Sequence, residues 1–183
     1  MSADNPWTTL STRLVYENPW LRVREDQVLN PSGNPGIYGV VMYRNKAVGV
    51  VPVDDDDHTW LVGQYRYPHH RYEWEIPEGG CPEGEEPVEC AKRELLEETG
   101  LIAEHFELIG EMQLSNSTTD EVGYMFLARG ITHSQACPEE TEKLEVKRVP
   151  LEEAIRMVMD GEIRDSLSVA ALLKIGMMRQ SPV

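Results

Sequence analysis

The stretch RELLEETGL, Arg93 to Leu101, sets Glu94, Glu97 and Glu98 within five residues. On a helix advancing about 100° per residue they share one sector, since Glu94 and Glu98 are i,i+4 neighbours and Glu97 lies one turn from Glu94. Carboxylates in the last turns of a helix face the negative pole of the macrodipole and one another, effects that each cost a few tenths to about 1 kcal/mol. Hard divalent cations take oxygen ligands, and an Mg2+ ion held by one or two carboxylates keeps its remaining positions for water and substrate phosphate. The pattern therefore points to a metal that relieves the repulsion and handles phosphate. The plainer alternative is a solvated acidic face with Arg93 and Lys92 as partners.

Such a patch needs a helix and a scaffold. From Pro87, suited to a first helical turn, PVECAKRELLEET runs helically until Gly100 supplies the stop. Val88, Ala91 and Leu95 form an apolar stripe beside the acidic one, so the helix anchors by one sector and presents the other. Before it, Trp20 to Val28 alternates as a half-buried strand does, and Ile37 to Tyr43 and Ala47 to Val53 read as more deeply buried strands. Arg44-Asn45-Lys46 suggests a hairpin between those two. Thr59 to Tyr65 is a further strand, and Gly79, Gly80 and Gly84 make the stretch between Pro77 and Pro87 a loop. Strands follow at Phe106 to Leu114, Gly123 to Ala128 and Leu144 to Val149. Helices at Leu151 to Met159 and Ser166 to Met177 close the chain. This order predicts an α+β or layered α/β/α domain rather than regular βαβ alternation.

A chain of 183 residues is one compact unit by default. Its formal net charge of -15 repels polyphosphate backbones and argues against nucleic-acid binding, although cations can still bridge a small anion to it. Cys81, Cys90 and Cys137 are an odd set without CxxC spacing, which argues against a disulfide framework and a zinc site and suits reduced thiols in a cytoplasm. MSADNPWTTL lacks the basic and apolar regions of an export signal. No segment approaches the roughly 18 continuous apolar residues of a membrane span. The run Asp54 to Asp57 lacks the alternate spacing, central Gly and closing Glu of a calcium loop and reads as a solvated turn. His69 and His70 offer too few ligands for zinc and read as exposed.

The context of the glutamates decides between metal site and acidic face. GGCPEGEEPVECAKRELLEETGL, from Gly79, fits G-x5-E-x7-R-E-U-x-E-E-x-G-U, with U bulky and apolar, at all nine specified positions. On these residues the chain resembles the Nudix hydrolases. The resemblance implies an α/β/α sandwich with a mixed sheet, here with an N-terminal antiparallel strand region, and hydrolysis of a nucleoside diphosphate linked to another moiety with Mg2+ or Mn2+. It implies that Glu94 and Glu98 are the principal metal ligands and Glu97 a further ligand or a partner of metal-bound water. Arg93 would orient the glutamates, and Glu85 would support loop and helix or join the metal shell. Gly79 would permit the loop turn, and the backbone carbonyl of Glu78 would complete a metal's coordination.

Beyond the box, QYRYPHHRYEWEIPEGG (Gln64 to Gly80) and the tail from Glu142 are similar to the ADP-ribose pyrophosphatase branch, so the resemblance covers roughly residues 10 to 175. The branch implies a catalytic base on the loop before the last core strand. Here that loop is CPEETEKLEV, and alignment points to Glu142, with Glu139 and Glu140 as seconds or the loop as mere charged surface. Arg66 matches phosphate oxygens bidentately, or else pairs with neighbouring acids. Glu75 would touch substrate or hold its loop, and Trp20 and Tyr67 are stacking surfaces or core aromatics. In related enzymes the N-terminal strands exchange between subunits, so residues 1–45 are expected to form a homodimer and residues 46–183 the hydrolase domain. One segment departs: LSNSTTDE, Leu114 to Glu121, stands where ordinary members carry a Pro-Gly-containing loop, which leaves the nucleoside preference open.

The leading expectation is Mg2+-dependent cleavage of ADP-ribose or another nucleoside diphosphate sugar. The competitors are a hydrolase of GDP-mannose, a dinucleoside polyphosphate or NADH, a non-catalytic nucleotide sensor, and an RNA-decapping enzyme. The complete set of box glutamates weighs against the sensor and the acidic surface against decapping.

Overall fold

The computed structural model describes residues 4–134 and 144–180. Along the chain lie β1 (Thr8–Glu17), β2 (Leu21–Leu29), β3 (Pro35–Tyr43), β4 (Lys46–Pro52), β5 (His58–Arg66), β6 (Arg71–Glu75) and β7 (Glu78–Cys81). Then come α1 (Pro87–Thr99), β8 (Leu101–Gln113), β9 (Val122–His133), β10 (Glu145–Pro150), α2 (Leu151–Met159) and α3 (Ser166–Gln180). The described strands form three sheets, ordered β1-β2-β3, β10-β5-β6 and β7-β4-β9-β8. The pair β4 and β9 is parallel and the other pairs are antiparallel.

Strand periodicity builds the layers. On β4, Val48 and Val50 pack with Cys90, Ala91 and Leu95 of α1, whereas Val51 belongs with Leu151, Met157, Leu167 and Leu172 of α2 and α3. On β9, Phe126 and Ala128 face the first group and Met125 and Leu127 the second. Both faces of this central pair are covered, which is why their sequences run apolar almost without alternation. The result is the expected α/β/α arrangement, with α1 on one side and α2 and α3 on the other.

The N-terminal sheet is different. β1 is exposed along its whole length, and Leu10, Leu14, Val15 and Tyr16 are more than half exposed. The segment before β9 ties this sheet to the rest. The Val41 N–H donates to the Thr118 carbonyl (2.8 Å), the Tyr43 N–H to Asp120 Oδ1 (2.9 Å) and the Tyr38 hydroxyl to the Ser117 carbonyl (2.7 Å).

The structure corrects two local expectations. β3 pairs with β2, and β4 with β7 and β9, so Arg44-Asn45-Lys46 joins two sheets and is not a hairpin turn. The glycine-rich stretch after Pro77 is not wholly loop: Glu78–Cys81 pairs with Lys46 through Gly49 as β7. β1 and β6 are strands that the sequence reading did not place. The four aspartates form a turn, in which the Asp54 carboxylate accepts the N–H groups of Asp56 (3.0 Å) and His58 (2.9 Å). Among the described residues, no helix is long and apolar enough to cross a membrane.

Candidate active site

α1 starts at Pro87 and ends where Gly100 adopts a left-handed conformation (φ 71°) and donates its N–H to the Leu96 carbonyl. Its final turns press against β7. Glu94 and Glu98, only 9% and 3% exposed, are buried there rather than solvated, which removes the plain acidic-face reading for these two. Glu98 Oε2 accepts the Glu78 backbone N–H at 2.9 Å. Gly79 lies so close that a Cβ on it would fall 2.2 Å from the carboxyl carbon of Glu94. Glycine is required at that position by contact, since its φ is not in the left-handed region.

Arg93 gathers the rest of the box. Its guanidinium donates to both carboxylate oxygens of Glu85 (3.2 and 3.0 Å), to Glu94 Oε1 (2.6 Å), to Glu97 Oε2 (3.0 Å) and to the Gly80 carbonyl (3.0 Å). One side chain thus links the loop before α1, the end of β7 and two turns of the helix. These hydrogen bonds hold the Glu85 carboxyl below the usual carboxylate range and raise the affinity of Arg93 for its proton.

A second arginine stands on the opposite flank of Glu78. Arg66, at the end of β5, forks onto the buried Glu75 of β6 (2.8 and 2.9 Å from Nε) and reaches Glu78 Oε1 (2.9 Å). Burial opposes the charge of Arg66, and the Glu75 carboxylate more than reverses that penalty. Glu78 is pushed well above the usual carboxylate range, first by burial and then by the charges of Asp165 and Glu75. Asp165 in turn caps α3 by accepting the Ser168 N–H at 2.8 Å.

Arg66 and Glu78 line a cavity of about 520 Å³ together with Trp20, Tyr43, Lys46 and Gly79, the glycine that abuts Glu94. Trp20 is 71% exposed, an aromatic face presented to the cavity rather than a core residue. Glu75 lines a different hollow with Pro68, His69 and Arg164. Tyr67 is 80% exposed, and with His69 it forms a single 3-10 turn closed by a left-handed His70. Glu142, Glu139 and Glu140 lie outside the described residues.

Sequence reasoning passed over Tyr43, Asn45, Lys46 and Glu121, which also line the cavity. Lys46 and Asn45 were hidden by the hairpin reading. Glu121 ends the departing segment, and burial, with Asp120 and Asp165, raises its carboxyl above the ordinary value. The signal for it was available: an acid standing immediately before an apolar strand.

The arrangement suits a hard divalent cation. Glu94, Glu97 and Glu98 supply only oxygen, two of the three are buried, and Gly79 leaves open the space that a Cβ would fill. Arg66 and Lys46 offer positive charge to an anion within the cavity that Gly79 lines.

Comparison with known proteins adds the following. The family described as NUDIX domain matches residues 43–170, and the nucleoside diphosphate sugar hydrolase N-terminal domain matches residues 7–41. An ADP-ribose pyrophosphatase of Mycobacterium tuberculosis is 32% identical, over 94% of this chain and 84% of that one. An ADP-ribose pyrophosphatase of Bacillus subtilis is 31% identical, over 90% and 89%. A crystal structure of an ADP compounds hydrolase superposes with a TM-score of 0.87 at 23% identity, covering 98% of this chain and 97% of its own, and so shows the fold.

Proposed function

We propose a reaction that starts from one premise: the chain belongs to the Nudix hydrolase family, and within it to the ADP-ribose pyrophosphatase type. The reaction is Mg2+-dependent hydrolysis of the pyrophosphate bond of ADP-ribose to AMP and ribose 5-phosphate, with Mn2+ as an alternative metal. The observation that carries it is the burial of Glu94 and Glu98 against Gly79 at the edge of a cavity that also holds Trp20 and Arg66.

Each residue then has a task. Glu94 and Glu98 would hold the metal, with Glu97 as a further ligand or a partner of its waters and the backbone carbonyl of Glu78 as an additional donor. A divalent ion held there would supply charge to neutralise the diphosphate and to activate water. Arg93 keeps Glu94 and Glu97 pointed at a common space through the bonds described above, and Glu85 fixes Arg93 in turn. Arg66, oriented by Glu75, binds phosphate oxygens. Trp20 stacks on the base. The attacking water adds to one phosphorus, the bridging oxygen leaves with the other, and the proton passes to Glu142 or to its neighbours Glu139 and Glu140.

The exposed apolar residues of β1 support a homodimer formed through residues 1–45; we further assign the hydrolase domain to residues 46–183 and the enzyme to the cytoplasm. A monomeric mass by analytical ultracentrifugation overturns the dimer. For the reaction, Mg2+-dependent release of AMP from ADP-ribose is expected to fall at least roughly ten- to a hundredfold in Glu98→Gln. Undiminished release in that variant overturns the site. Faster turnover of GDP-mannose, a dinucleoside polyphosphate or NADH overturns the substrate.

A further inference from the structure

The cysteine spacing argued against a metal site, yet the fold sets two cysteines side by side. Cys81 closes β7 and Cys90 lies in the first turns of α1. Their sulfurs and a carboxylate oxygen of Glu85 all lie within 4.8 Å of one another. Both thiols are free. They are almost wholly buried, at 1% and 0% exposure. The Cys81 thiol donates to the Glu85 carbonyl at 3.3 Å, and Cys90 Sγ accepts a hydrogen bond from Arg93 Nη2 at 3.4 Å.

We propose that Cys81, Cys90 and Glu85 form a second metal site, selective for thiophilic divalent ions such as Zn2+ and Cd2+, whose occupation slows hydrolysis. The donor chemistry distinguishes it from the all-oxygen set of Glu94, Glu97 and Glu98. Two thiolates and one carboxylate are a zinc donor set, and a tetrahedral ion with bonds near 2.3 Å to sulfur sets two sulfurs about 3.8 Å apart. The observed spacing needs a contraction of no more than about 1 Å to meet that geometry. Uptake releases the two thiol protons. The Arg93 guanidinium, already in contact with Cys90 Sγ, balances the negative charge that three anionic donors leave on a divalent ion. On one side the site meets a cavity of about 650 Å³, which Cys81 lines together with Lys46, Glu83 and Gly84.

The functional consequence follows from a shared ligand. Glu85 holds Arg93 by two hydrogen bonds, and Arg93 orients Glu94 and Glu97. A metal that takes the Glu85 carboxylate loosens that hold.

The test titrates the full-length protein with Cd2+ in excess Mg2+, so that the oxygen set is filled with the hard ion. It follows the ultraviolet thiolate-to-cadmium charge-transfer band together with AMP release. The expected result is one saturable Cd2+ per chain and a rate lowered roughly tenfold in step with the band. Cys81→Ser and Cys90→Ser are each expected to lose band and inhibition, while Cys137→Ser keeps both. Circular dichroism of each variant establishes that it is folded, and either serine variant alone suffices. Absence of the band in the parent protein, a band of equal amplitude in folded Cys81→Ser, or an unchanged rate with the band saturated overturns the proposal. The band is read without substrate, so its failure is separable from any failure of the hydrolase reading.

Discussion

Two arginine clusters flank Glu78, and they are built in opposite ways. Arg93 and its partners Glu85, Glu94 and Glu97 come from one continuous loop and helix, bound together by i,i+4 geometry and a single guanidinium. Arg66 draws Glu75 and Glu78 from two further strands, with Asp165 from the approach to α3 close behind. In the proposed reaction the first cluster is a local device for aiming carboxylates at metal. The second is a tertiary device for holding a cation beside them. In the proposed reaction the division means that one part of the site neutralises and the other binds, with β7 between them.

The largest effect expected from breaking this arrangement comes at that wall. Gly79→Ala forces a Cβ into the Glu94 carboxylate, whereas the same change at Gly80 meets only the side chain of Asn45, with Nδ2 nearest at 2.8 Å. AMP release is expected to fall at least about a hundredfold in Gly79→Ala. It is expected to change by less than about threefold in Gly80→Ala, since the added methyl meets the end of a flexible side chain that can move aside. Equal effects at the two glycines contradict the contact argument.

The arginines separate next. A lysine cannot reproduce a planar fork that serves several acceptors. Arg93→Lys is therefore expected to lower kcat roughly ten- to a hundredfold with little change in KM, the signature of misaimed metal ligands. Arg66→Lys is expected to act chiefly on KM, raising it about tenfold, the loss of one charge-assisted bond to phosphate. Reversal of that kcat and KM split merges the two clusters into one.

The smallest effect concerns acid stability. Hydrogen bonds from Arg93 hold the Glu85 carboxyl below its unfolded value, so its contribution is fully present above about pH 4.3 and is lost as pH falls through the lower folded value. For a pair that is partly exposed, that contribution is about 1 kcal/mol. Thermal melts of the metal-free protein from neutral pH down to about pH 3 are expected to fall more steeply for the parent than for Glu85→Gln. Parallel curves remove Glu85 from the stability of the cluster.

Legibility followed the same division. Glu94, Glu97, Glu98 and Arg93 could be read because helical period and a contiguous motif place them without reference to the rest of the chain. The start of α1 at Pro87 and its stop at Gly100 were legible for the same reason. β4, β9 and the two C-terminal helices carried patterns strong enough to set the layers. β7 was not legible, because Gly79 and Gly80 read as loop until β4 and the Glu94 carboxylate are beside them. The partnership of Arg66 with both Glu75 and Glu78 depends on strand register, which one sequence does not print. The meeting of Cys81 with Cys90 needs strand and helix in contact. Lys46 was misassigned because a turn within one sheet and a passage between two sheets use the same residue types.

In the proposed reaction the buried carboxylates at the end of α1 hold divalent ions for the diphosphate. Titration with Mn2+ followed by electron paramagnetic resonance, with parent protein and Glu98→Gln side by side, measures it directly. Saturable loss of the free Mn2+ signal in the parent and at least about tenfold weaker uptake in the variant is the predicted result. Free Mn2+ throughout the parent titration, or equal uptake by the two proteins, contradicts the account.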